Sequence, residues 1–350
     1  MNKQQVTTLS GYSIIHGIID LYCVSVVLGS LTYHGFEARE LFILIVTYNI
    51  IAFGLQAPFG YLVDRFQLPK ESALAGCLLV LSSILLFEIP ALTVILSGLG
   101  NAFFHVGGGS ISLNINPQKA TAPGIFVAPG ALGLTVGTLI GKSGTFTAWP
   151  FILLLLFACV FILLNKVPKI NYHKESVKQE IRYFKLVVIL LLLSVSIRAL
   201  YGFTATWMAD TNLLLTFTIA IVAGKALGGI VADKFGWIKT ATFALLISAP
   251  LLSFFQNSPV LAIAGVFLFQ ITMPITVTAL SNMLPGKPAT AFGLTVLALI
   301  IGVLPTYFGA KDFINNDWIT FIIIIISTSA LLISFKFLYT FFKNKIKINL

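Results

Sequence analysis

Twelve apolar runs, each near 20 residues long, divide this chain of 350 residues. A run of that length, coiled as an α-helix, matches the thickness of a bilayer's hydrocarbon core. The runs lie at roughly 10–32, 39–61, 71–88, 91–113, 121–141, 147–166, 183–206, 211–232, 239–256, 259–283, 288–309 and 318–341. Only 10% of the residues are charged and 57% are hydrophobic, against about 25% charged in a soluble domain. The first run is too long for a signal core and lacks a small-residue cleavage site, so it reads as the first span.

The charges set the topology. With both termini placed on the cytoplasmic side, 17 of the 22 Lys and Arg residues fall in inside loops and termini. Arg39, Lys142 and Lys311 fall outside, and Arg198 and Lys225 lie within spans. That bias is the positive-inside pattern, and it supports an even number of spans. It also explains the net charge of +10 without nucleic acid, because the basic residues do not gather on one amphipathic surface. Cys23, Cys77 and Cys159 sit inside apolar runs with no paired spacing, so they read as small buried hydrophobes rather than disulfide or metal ligands.

One short pattern occurs twice. Gly60-Tyr-Leu-Val-Asp64-Arg65-Phe66 closes the second run, and Gly229-Ile-Val-Ala-Asp233-Lys234-Phe235-Gly236 closes the eighth, 169 residues later (229 − 60). A chain that repeats itself at half its length reads as two homologous halves, a plan common among secondary transporters. The expected fold is all-α and integral to the membrane, with twelve transmembrane helices in two six-helix pseudo-symmetric halves. The expected domains are 1–166 and 183–350. The basic linker 167–182 joins them and has room for a short helix on the membrane surface. In each copy the carboxylate can accept N–H groups at a neighbouring helix start, and Gly60 and Gly229 allow that neighbour close. Gly60, Asp64, Arg65, Gly229, Asp233 and Lys234 are therefore candidates for a cytoplasmic gate, the alternative being ordinary loops with solvated acids.

Polar residues inside the spans are the other candidates, because burying them in lipid is costly. His16 and Asp20 share a face of the first span at i,i+4. They read as proton carriers, or as a structural pair tying that span to a neighbour. Asn101 and His105 repeat the spacing in the fourth span, followed by Gly107, Gly108 and Gly109, which permit close packing or a bend. Arg198 lies about 20 Å into the seventh span, too deep to snorkel readily. It is the first candidate to contact an anionic substrate or Asp20, with Tyr201 on its face. Lys225 either lines the cavity or snorkels; Gln56, Asn101 and Gln270 offer neutral hydrogen bonds to a substrate.

Twelve spans, a central basic loop and the doubled pattern resemble the major facilitator superfamily. The family's loop is Gly-x-x-x-Asp-Arg/Lys-x-Gly-Arg/Lys-Arg/Lys. Here Gln67 replaces its second Gly in the first copy, while Gly236 keeps it in the second. His16-Gly-Ile-Ile-Asp20-Leu-Tyr22, Gly98-Leu-Gly100-Asn-Ala-Phe-Phe-His105 and Arg198-Ala-Leu-Tyr201-Gly202 look like features of fosmidomycin-resistance-type efflux proteins. Gly124, Pro129 and Gly133 partly match an antiporter pattern, or form a packing face continued by Gly137 and Gly141.

The resemblance implies export by antiport. The residues imply a proton-coupled, alternating-access carrier of a small anionic or zwitterionic solute, with Asp20, His16 and His105 handling protons. Proton-symport uptake is the alternative; a membrane sensor or intramembrane enzyme is more distant. No nucleotide loop or hydrolase motif is present, and no cofactor is expected. The expected partners are the solute, protons and the lipid bilayer. The expected setting is the plasma membrane, here a bacterial cytoplasmic membrane, as a functional monomer.

Overall fold

The computed structural model describes residues 1–144, 146–172, 183–204, 211–309, 314 and 316–343. Most of the basic linker therefore lies outside the described residues, including any surface helix after position 172.

The described residues are helical with no strand. In chain order the helices are α1 (Lys3–His34), α2 (Ala38–Asn49), α3 (Gln56–Phe66), α4 (Pro69–Leu85), α5 (Pro90–Ile115), α6 (Thr121–Lys142) and α7 (Trp149–Leu164). After the linker follow α8 (Phe184–Thr204), α9 (Thr211–Phe235), α10 (Trp237–Phe254), α11 (Pro259–Gln270), α12 (Thr272–Met283), α13 (Pro288–Tyr307) and α14 (Asp317–Lys343). A π-helical turn, Ile50–Gly54, joins α2 to α3 in one span. Pro274 lacks the N–H that would bond the Gln270 carbonyl, which interrupts the helix between α11 and α12; the two still make up one span, Pro259–Met283. Twelve helical spans result among the described residues. Ten of them are long and apolar enough to cross a bilayer, and α4 and α7 have 17 and 16 residues. Large apolar side chains such as Phe157 and Leu164 stay exposed on the helices, as lipid-facing residues do.

The chain forms two compact units. Unit 1 is Met1–Ile115, Phe126–Tyr172 and Lys287–Leu297; unit 2 is Asn116–Ile125, His173–Gly286 and Ala298–Leu350. Each unit thus takes in a short segment from the opposite half of the sequence.

In unit 1, α5 runs unbroken through its three glycines. Each makes room for a different neighbour: Gly107 for the backbone of Pro69 and Ala73, Gly108 for the Phe126 ring, Gly109 for Phe292. The glycines serve packing here, not a bend. The small-residue face of α6 lies on α1: a Cβ at Gly133 would meet the Gly17 carbonyl, and one at Gly137 the Leu21 carbonyl. Backbones this close pack by van der Waals contact, the main attraction between helices in lipid.

Gln67 ends α3 with φ 59, in the left-handed region, and Gly236 holds the matching place in the second repeat with φ 95. The family pattern has Gly there because a side chain is strained in that conformation. Gly236→Gln should destabilise the protein by about 1–3 kcal/mol, whereas Gln67→Gly should be tolerated. Thermal unfolding in detergent measures both; equal melting temperatures for Gly236→Gln and wild type would contradict the assignment.

Candidate functional site

Three helices of unit 1 converge on one buried polar cluster. α1 contributes His16 and Asp20, α5 contributes Asn101 and His105, and α6 supplies the Phe126 carbonyl. His16, Asp20, Asn101 and His105 are all at most 5% exposed. The Asp20 carboxylate lies 3.2 Å from His16 Nε2 and 3.4 Å from His105 Nε2, and it accepts a 3.0 Å hydrogen bond from Asn101 Nδ2. The two imidazoles meet Nε2 to Nε2 at 2.8 Å. Their outer nitrogens face backbone: His16 Nδ1 lies 2.6 Å from the Phe126 carbonyl and His105 Nδ1 lies 2.8 Å from that of Asn101. Gly130 on α6 roofs the cluster, since a Cβ there would fall 2.5 Å from Asp20 Oδ2 and 2.7 Å from His16 Nε2.

His16, Asp20 and His105 have the donor types of a metal site, with ligand atoms within 4.8 Å of one another. Two nitrogens bound at about 2.0–2.1 Å to a tetrahedral metal would sit about 3.3 Å apart. The observed 2.8 Å is instead a hydrogen-bond separation.

Arg198 sits in unit 2, 7% exposed. Its Nε donates to the Ser194 carbonyl at 3.1 Å, and its fork donates to the hydroxyls of Thr272 and, at 2.8 Å, Thr276. Both hydroxyls donate onward to backbone, to Phe269 and Thr272 respectively. Among the described residues the guanidinium has no carboxylate partner. It is a buried cation held by neutral oxygens, with donor capacity left for an anion.

The doubled loops share one capping geometry, to which Asp233 adds a 3.0 Å hydrogen bond accepted from Trp237 Nε1. Asp64 accepts from the backbone N–H of Ala289 (3.1 Å), that of Thr290 (2.7 Å) and the Thr290 hydroxyl (2.7 Å), at the start of α13. Asp233 accepts from the N–H of Ala120 (3.0 Å), that of Thr121 (2.9 Å) and the Thr121 hydroxyl (2.6 Å), at the start of α6. Each acid fills the open N–H groups of a helix start and faces its positive dipole end. A Cβ on Gly60 would strike the Ala289 carbonyl, and one on Gly229 that of Ala120. Arg65 and Lys234 lie outside these caps, each over the ring that follows it.

No family model matches the chain. It is 25% identical over 309 residues to the uncharacterised MFS-type transporter YfnC of Bacillus subtilis, spanning 76% of this chain and 75% of that protein. It is 24% identical over 294 residues to the fosmidomycin resistance protein of Escherichia coli, spanning 71% of each. Among solved structures, the transporter FucP in its outward conformation superposes with TM-score 0.69 at 13% identity, covering 95% of this chain and 99% of FucP. The proton:xylose symporter XylE superposes with TM-score 0.68 at 14% identity, covering 96% of each chain. The chain has the major facilitator fold. YfnC, FucP and XylE are named as transporters or symporters.

Within the major facilitator fold, the remaining candidates divide. Tyr201 is buried, its hydroxyl 3.3 Å from the Leu252 carbonyl and its ring against Phe269. Gln56 is buried where α3 begins; its Nε2 donates to the Ala52 carbonyl, and its Oε1 has no partner among the described residues. Lys225 and Gln270 are half-buried in unit 2, and Gln270 sits at the α11–α12 break. Asn101 joins the His–Asp cluster, its amide N–H directed at Asp20.

Sequence reasoning missed Thr272 and Thr276, which look like ordinary filler in an apolar run. It also missed the receivers of the two loop acids, for which a signal existed. Ala120-Thr121-Ala122-Pro123-Gly124 recurs as Ala289-Thr290-Ala291-Phe292-Gly293, again 169 residues apart (289 − 120).

Proposed function

We propose that the protein is a secondary active transporter that moves a small anionic or zwitterionic organic solute by proton-coupled alternating access, with export by antiport as the direction. The observation that carries this reading is the pairing of two buried sites of different character. One holds imidazoles and a carboxylate in mutual contact; the other holds a cation with neutral partners. A proton site and an anion site are what coupled carriage of an acid requires. The resemblance to a fosmidomycin resistance protein supports export. Uptake by proton symport is the second reading, since FucP and XylE are proton symporters. Sealed vesicles, loaded with a phosphonate such as fosmidomycin or with small carboxylates, test both. Export requires flux driven by a pH gradient against the proton flow; flux with the proton flow supports uptake. Flux indifferent to the gradient for every solute would reject proton coupling.

The two loop acids act as cytoplasmic latches in this reading, closed as observed and broken as the halves rock. Gly60→Val and Gly229→Val push a side chain into the facing carbonyl, so both should cut transport several-fold while the protein still reaches the membrane. Gly202→Ala is the control, because among the described residues a Cβ there meets nothing within 4 Å. Transport by both valine variants at the control's rate would remove the latch.

We read the protein as a functional monomer in a bacterial cytoplasmic membrane, and the basic bias supports both termini on the inside. A Cys added at the C-terminus should resist an impermeant thiol reagent in intact cells. Ready labelling from outside would reverse the topology.

A further inference from the structure

We propose that His16 and His105 hold one proton between them, bridging Nε2 to Nε2, and that this shared proton is the coupling proton, with Asp20 as its fixed counter-charge. The inference rests on the proton-coupled reading above and replaces a carboxyl carrier with an imidazole pair.

The argument is one of donors and acceptors. A carbonyl only accepts, so His16 Nδ1, facing Phe126, and His105 Nδ1, facing Asn101, must both carry hydrogen. That fixes the tautomer of both rings and leaves Nε2 as the only variable position on each. The two Nε2 atoms are 2.8 Å apart. With no proton, two lone pairs face each other. With two, two N–H groups collide. With one, an N–H of a cationic ring donates to the lone pair of a neutral ring. A proton on Asp20 instead would again leave the Nε2 pair as two lone pairs.

The charges agree. One imidazolium beside one carboxylate is neutral overall, the cheaper state for a group buried in an apolar medium. From α1 the pair is faced by Asp20, from α5 by Asn101, and from α6 by the Phe126 carbonyl and the bare backbone of Gly130. The other titratable groups that act on Asp20 are the buried Cys23 thiol on α1 and the Tyr48 hydroxyl on α2, neither of which can supply a positive charge.

The arrangement also supplies a switch. Loss of the proton turns a hydrogen bond between α1 and α5 into a repulsion, so the two helices separate at this level. One proton per cycle follows, because the pair has one variable proton.

The test uses the full chain in nanodiscs, labelled with ¹⁵N-histidine and with no added solute. The sequence has four His, so His16→Gln and His105→Gln assign the signals. The expected result is protonated Nδ1 on both rings and a ¹⁵N–¹⁵N scalar coupling between their Nε2 atoms, lost together on raising the pH. Asp20→Asn should weaken that coupling by removing the counter-charge. Gly130→Ala should abolish it while the latch bonds and the fold persist, which covers the case in which a histidine variant does not fold. Two neutral or two cationic rings throughout the titration, or no Nε2–Nε2 coupling at any pH, would overturn the proposal. Gradient-driven flux in vesicles is read separately. An intact coupling signal with gradient-independent flux would sink the coupling role and the transport reading beneath it. Gradient-driven flux without the signal would sink the shared proton alone.

Discussion

Asp20→Asn should abolish gradient-driven accumulation while leaving counterflow exchange of the solute intact. Asn keeps the shape and can still meet Asn101 and the two imidazoles, but it carries no charge. The protonated histidine pair would then be a buried cation without its partner. Removing one member of a buried ion pair costs about 3–5 kcal/mol, so proton occupancy should fall by roughly 10²- to 4 × 10³-fold. Exchange of solute against solute needs no net proton movement and should persist. The measurement is radiolabelled solute in proteoliposomes, with a pH gradient for accumulation and with equal pH for counterflow. Accumulation at the wild-type level would remove Asp20 from the coupling machinery.

Arg198→Gln should weaken binding of the anionic solute by about 10- to 150-fold, the worth of one charge-assisted hydrogen bond at about 1.5–3 kcal/mol. Arg198→Lys should fall between, because it keeps the charge but loses the planar fork. The surroundings make this a clean experiment. Thr272 and Thr276 keep their bonds to backbone carbonyls when the guanidinium is gone, so no buried hydroxyl is orphaned. Affinity measured in detergent separates binding from transport. Unchanged affinity in Arg198→Gln would show that the guanidinium only ties α8 to α12.

Much of this was legible in the sequence, for physical reasons that differ from residue to residue. Lipid demands long apolar helices, so the spans could be counted from composition along the chain. His16 with Asp20, and Asn101 with His105, each stand one helical turn apart, so each pair was visible as a face. That the two faces meet was not visible, because it depends on how α1 and α6 approach through Gly17, Gly130 and Gly133, and how α5 meets both through Gly108. Periodicity describes one helix at a time. Arg198 was legible by its depth alone, since a guanidinium that cannot reach water needs a reason. Its threonine partners were not, because a hydroxyl that bonds its own helix fits an apolar run at little cost.

The repeat separates what both halves carry from what one half holds alone. At the 169-residue offset, Asp64 answers to Asp233 and Thr121 to Thr290, but Asp20 answers to Ile189 and His105 to Pro274. The acid and its receiving helix start are repeated in both halves, whereas the polar cluster belongs to one.

That repetition has a cost in independence. Each sequence half ends a span with an acid whose receiving helix start is encoded in the other half. A half produced alone would have a carboxylate with no helix to cap and a helix with no carboxylate. Neither half is thus a portable module, to be shuffled onto an unrelated six-helix partner. The two must be made together, kept in register and changed together, because a substitution at either acid or either helix start is felt in both halves.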